Sequence, residues 1–216
     1  MTTTNSRALR GIGWAGVWFL IITVVAFIAI RLMSDISNLA AGTLPSEGDF
    51  DRRYAQYPVL AYLHILPGAV YLLGAPFQVS RRFRTASFER HRRVGKVVLT
   101  AGLVTGAMAI VVGVVMPFGG FAETSASTVF GVYFVVTLVL AYRAIRSGRV
   151  NDHRRWMIRA FALGVGVGLI RVVIGVGEAF GIGIADSFGA AFWIAFVTMT
   201  VAAEIWLRIR PDAIGF

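Results

Sequence analysis

The stretch HRRVGKVVLTAGLVTGAMAIVVGVVMPF, residues 91–118, decides the fold. It opens on a basic cluster and runs on as an apolar segment, 97–118, whose only side chains with polar groups are Thr100 and Thr105. A membrane-crossing helix needs about 20 such residues, within a range of about 17–25. Five more segments meet that length: 14–30, 57–79, 128–145, 156–176 and 188–207. The first reads as a span and not as a signal peptide, because its apolar run exceeds the usual h-region and Arg31 closes it where small residues would be expected. The chain of 216 residues is 57% hydrophobic, with a mean hydropathy of +0.73. Only 15% of it is charged, against roughly 25% in a soluble domain. The expected fold is all-α, a single transmembrane domain over 1–216 built as a bundle of six helices.

The charges orient that bundle. Of 21 basic residues, 17 lie in the N-terminal arm, in 80–96, in 143–159 and in the tail from Arg208, with only Glu89, Asp152 and Asp212 among them. The other side carries Arg31, Arg52 and Arg53 against Asp35, Glu47, Asp49, Asp51, Glu123, Glu178 and Asp186. The positive-inside rule then predicts that both termini are cytoplasmic. The net charge of +10 and pI near 11.1 would suit nucleic-acid binding. Here the cations sit at span ends, so the expected partners are the bilayer and its anionic head groups, with no nucleic acid. The chain has no cysteine, which excludes disulfides, thiolate metal sites and covalently attached c-type haem. The loop 32–56 reads as a small external segment without a core of its own.

The opening cluster recurs. His153-Arg154-Arg155 repeats His91-Arg92-Arg93 at an offset of 62 residues, and the same offset carries Gly102 onto Gly164, Gly106 onto Gly168 and Gly113 onto Gly175. Spans three and four are thus expected to be duplicated as spans five and six, in parallel orientation. The glycine pairs at 102/106 and 164/168 form small-xxx-small faces, expected to pack spans three and five tightly or to leave a groove for a flat ligand.

His64-x-x-x-Gly68, Leu72-Leu73-Gly74-Ala75-Pro76-Phe77-Gln78, His91-Arg92-Arg93-Val94-Gly95-Lys96 and His153-Arg154-Arg155-Trp156-Met157-Ile158-Arg159 together resemble the motif series of the domain of unknown function 2306 family. These are uncharacterised bacterial multi-pass membrane proteins. Lys96 stands where that family more often shows arginine. The resemblance, over about 60–180, implies a multi-pass fold in a bacterial inner membrane and supplies no reaction.

Two constellations have the residue types for chemistry. His91 and His153 each precede an apolar run from the same side, so they share a depth. Two histidines on neighbouring helices are an axial pair for haem b, with Arg92, Arg93, Arg154 and Arg155 placed for its propionates. The same His-Arg-Arg clusters equally suit lipid phosphate at the interface. His64 and Arg171 lie inside spans, about 10 Å and about 8 Å from the outer ends by helical rise. An arginine within a span needs a partner. Either Glu178, seven residues on, pairs with it, or Arg171 and His64 share a cavity for a quinone carbonyl, a carboxylate or another small anion. Glu204 is expected to pair with Arg208 or Arg159. Phosphate loops, dinucleotide fingerprints and paired-histidine zinc motifs are missing. Three functions stay open: a haem- or quinone-linked membrane redox protein, a small-anion transporter, and an accessory or assembly protein.

Overall fold

The computed structural model describes residues 3–209, with side chains from residue 11 onward; Arg7, Arg10, Arg210 and Asp212, counted above, lie outside the described side chains. Every regular element among the described residues is helical: α1 (Thr3–Ala41), α2 (Arg52–Gln56), α3 (Pro58–Val79), α4 (Arg81–Ala86), α5 (Phe88–Val115), α6 (Gly120–Arg146), α7 (Val150–Ala179) and α8 (Ile184–Ile209). Six of them, α1, α3, α5, α6, α7 and α8, are long and apolar enough to cross a membrane. Large apolar side chains stay exposed along them, including Phe19, Ile22, Val59, Val201 and Ile209. A surface this apolar requires hydrocarbon as its solvent.

Most of the helices outrun the apolar segments read from sequence, because a cap lets a helix start among charges. The Ser87 hydroxyl accepts the Arg90 N–H at 3.2 Å, so α5 begins at Phe88 and takes in His91. Gly148 and Gly181 close α6 and α7 in the left-handed region, at φ 73° and 80°. The largest difference is α1. It continues through Arg31 to Ala41, because Arg31 is held within the helix by Asp35, four residues on, with Nη2–Oδ1 at 2.7 Å.

Helix α7 is central, packing on α8, α6, α1 and α3, while α3 lies along α5, and α5 along α6. The main core joins Tyr71, Ala75, Val98, Phe134, Leu138, Ala160 and Leu163. A second, aromatic core around Ile170, Ile174 and Phe188 lies toward the acidic end. The third, Ile21, Val24, Leu72 and Val165, docks α1.

The glycine faces do not pair spans three and five. Helices α5 and α7 do not pack along their lengths, and α3 comes between them. A Cβ on Gly102 would meet Tyr71 Cδ2 at 2.7 Å, and one on Gly164 would meet Tyr71 Cε1 at 2.6 Å. The Tyr71 ring therefore fills the space that both glycines leave. Gly106 receives Phe134, and Gly168 lies against the Leu20 backbone of α1. Small residues still serve close approach here, but to a third and a first helix.

Candidate functional site

The acidic end is built around three arginines. Arg31 binds Asp35 and also Asp51, with Nη1–Oδ1 at 2.6 Å, which ties the segment after α1 back onto it. The Tyr62 hydroxyl of α3 donates to Asp35 at 2.5 Å. Arg53, on α2, donates to the Met116 carbonyl at 2.7 Å and reaches Glu123 Oε1 at 3.3 Å. Its guanidinium carbon lies 4.4 Å from the Phe50 ring, 5.0 Å from Tyr54, and 5.2 Å from both Phe118 and Phe188. Glu123, only 3% exposed, also accepts the N–H groups of Phe118 at 2.5 Å and Gly119 at 2.7 Å. One carboxylate thus closes the turn into α6 and neutralises an arginine from the loop.

The segment read as an external loop without a core of its own is folded onto the bundle. Phe50 enters the second core, with ring centroids 5.3 Å from both Phe118 and Phe188. The sequence marks Arg31, Arg53 and Glu123 only as charges that set span ends and orientation, and it does not single out Tyr54 or Tyr62. The available signal was Phe50-Asp51-Arg52-Arg53-Tyr54, an aromatic and ionic cluster inside a loop, and an acid four residues after Gly119.

Arg171 sits beneath this strap. Its guanidinium carbon is 5.2 Å from the Phe27 ring and 5.5 Å from Phe50, and Tyr54 lies beside it. Glu178 is exposed, and among the described residues no carboxylate forms an ion pair with Arg171. The alternative of an Arg171–Glu178 pair is therefore not realised: seven residues is about 10.5 Å of helical rise, and the guanidinium lies against Phe27 and Phe50 while Glu178 is exposed. Among the described residues no hydrogen bond joins Arg171 to His64, and the arginine's charge acts on the ring from a distance. His64 Nδ1 lies 3.0 Å from the Thr105 carbonyl, which only accepts, so Nδ1 carries the proton and Nε2 keeps its lone pair. The Thr105 hydroxyl in turn donates to the His64 carbonyl at 2.8 Å, in the stretch of α3 that contains Pro67. Two bonds from one threonine thus fix the histidine's tautomer and orientation.

At the basic end, His153 Nδ1 lies 2.9 Å from the Ala141 carbonyl, which fixes the same tautomer. His91 stacks on Phe88 at 6.2 Å, and its Nδ1 is buried without a hydrogen-bond partner. The two histidines interact electrostatically, and Arg84 acts on both. Arg92 and Arg93 are exposed, Arg93 pairing with Glu89, while Arg154 and Arg155 are half-buried. For a b-type haem the donor set fits in part. His153 has the Nδ1–H acceptor that normally orients an axial imidazole; His91 lacks it. No group of three or more potential metal ligands occurs among the described residues. Glu204 takes Arg159 and not Arg208, with Nε–Oε1 at 2.6 Å and Nη2–Oε2 at 3.0 Å.

Residues 61–207, from the first turn of α3 almost to the end of α8, match the family described as predicted membrane protein, domain of unknown function 2306. The chain belongs to this family. The match takes in His64, His91, His153 and Arg171 and leaves α1 and α2 outside it. No curated protein and no solved structure matches the chain.

Proposed function

We propose that this member of the domain of unknown function 2306 family binds a quinone-class head group between Arg171 and His64, in the outer half of a bacterial inner membrane with both termini cytoplasmic. The observation that carries the reading is an arginine within a spanning helix that has aromatic neighbours and, among the described residues, no ion-paired carboxylate. A guanidinium in that position supplies charge-assisted donors to a carbonyl oxygen. The Nε2 lone pair of His64, held by Thr105, accepts from a quinol hydroxyl. Phe27 and Phe50 offer flat faces for the ring. Orientation rests on the asymmetry of 17 basic residues at one end.

A duplication of two spans underlies the bundle in this reading. The bounds of α5 and α6, advanced by 62 residues, fall within two residues of those of α7 and α8. Gly102 and Gly164, which correspond under that shift, both lie against the Tyr71 ring.

The test is co-purification. Protein extracted from membranes in mild detergent should carry quinone in roughly stoichiometric amount on organic extraction, and His64→Leu should lose it. A small carboxylate would use the same donors. If acetate or another carboxylate binds and quinone does not, the site belongs to an anion transporter instead.

A second reading, haem b between His91 and His153, is favoured by the Nδ1–H···O=C bond of His153. Arg154 and Arg155 would hold the propionates, with Arg92 and Arg93 on the other side. Haem so held would supply one-electron chemistry. Protein produced with ample haem should then show a Soret band that His153→Ala abolishes; a colourless protein leaves the His-Arg-Arg clusters as anchors to lipid phosphate.

A further inference from the structure

Beside the His91-Arg92-Arg93 cluster lies a site independent of Arg171 and His64. On the outer face of α3 and α5, toward the basic end, two depressions meet at Lys96. One, of about 290 Å³, is lined by Phe88, Glu89, Arg92, Arg93 and Lys96. The other, of about 620 Å³, is lined by Lys96 and Thr100 at one end, then by Ala101, Val104, Pro67 and Val70. The first is basic: Glu89 is already paired with Arg93, which leaves Arg92 and Lys96 unneutralised. The second is almost wholly apolar and open to the side.

We infer that this paired depression binds one anionic phospholipid. The order of chemistry along α5 matches such a lipid from head to tail. Lys96 and Arg92 present cations for the phosphate. Thr100 follows one turn deeper, about 6 Å by helical rise. Its side chain is exposed in the groove, and no group among the described residues forms a hydrogen bond with its hydroxyl. A hydroxyl facing hydrocarbon without a partner is unfavourable, and an ester carbonyl at that depth provides one. Below it, small Ala101 on α5 and the Pro67 ring on α3 leave the groove that Val70 and Val104 wall. From Lys96 to Val104 is about 12 Å of rise, enough for most of an acyl chain. The uncompensated charge favours a head group without its own ammonium. Neither His64 nor Arg171 lines this groove, so the site stands whether or not a quinone binds at the other end.

The experiment is native mass spectrometry of the full chain released from detergent micelles containing equal amounts of phosphatidylglycerol and phosphatidylcholine. One phosphatidylglycerol should be retained per chain in preference to phosphatidylcholine. Lys96→Gln should lower that preference about fivefold. Thr100→Val should weaken retention of either lipid, and Ala101→Leu, which fills the groove, should abolish it. A variant that fails to run as a single species on gel filtration is replaced by the other two, which test the same groove through different contacts. Equal retention of the two lipids overturns the inference. So does an effect of Lys96→Gln no larger than that of Arg82→Gln, a basic residue that lines neither depression, because only a diffuse surface charge would then be at work.

Discussion

Arg53 and Glu123, 70 residues apart in sequence, meet at 3.3 Å in the most enclosed ion pair of the described chain, 11% and 3% exposed. This contact fastens the strap that follows α1 to the turn before α6, and four aromatic rings close around it. The pair matters to the site because Phe50 and Tyr54 of the same strap lie beside Arg171.

Glu123→Ala should therefore be costly. It strands the Arg53 guanidinium and leaves the Phe118 and Gly119 N–H groups without their acceptor. Losing one partner of a buried pair costs about 3–5 kcal/mol. Glu123→Gln keeps an acceptor oxygen and should cost less, about 1–3 kcal/mol. Thermal unfolding in detergent measures both; equal melting temperatures for Glu123→Ala and the parent would show that the strap is not held this way.

Gly102→Ala and Gly164→Ala should each destabilise the bundle by about 1–3 kcal/mol, since the new methyl enters the volume of the Tyr71 ring. Gly175→Ala is the control: nothing lies within 4 Å of its Cβ position, so its effect should stay within about 0.5 kcal/mol. Replacing Tyr71 by Leu in the Gly102→Ala background should recover part of the loss, a coupling that a thermal double-mutant cycle reads directly.

Orientation has a clean chemical test because the chain has no cysteine. Single cysteines at Leu44, on the strap, and at Arg84 or Val150, at the basic end, should report opposite sides. An impermeant thiol reagent added to intact cells should label position 44 and spare 84 and 150. The reverse pattern would place the termini outside.

The six spans were legible because hydrocarbon imposes a length and a composition on every helix that crosses it, and 97–118 meets both. Their ends were less so. Hydropathy stops at the first charge, whereas α1 continues past Arg31 because Asp35 and Asp51 neutralise it within the fold. Arg171 and His64 stood out as polar residues inside apolar runs. Their surroundings did not, since Phe50, Arg53 and Tyr54 come from a segment whose composition reads as loop. The glycine faces showed that some element approaches closely there; that the element is the ring of Tyr71 depends on which helices are neighbours, and spacing within one helix carries no such information.

Binding between Arg171 and His64 is tested most directly by calorimetric titration of the detergent-solubilised protein with a short-tailed quinone analogue. One saturable site per chain is expected. Arg171→Leu should weaken it about tenfold or more, the scale of one charge-assisted hydrogen bond, while Glu178→Gln, at an exposed acid remote from the guanidinium, should leave it unchanged. Equal affinity for the parent and Arg171→Leu, or no saturable heat in the parent, would contradict the quinone site.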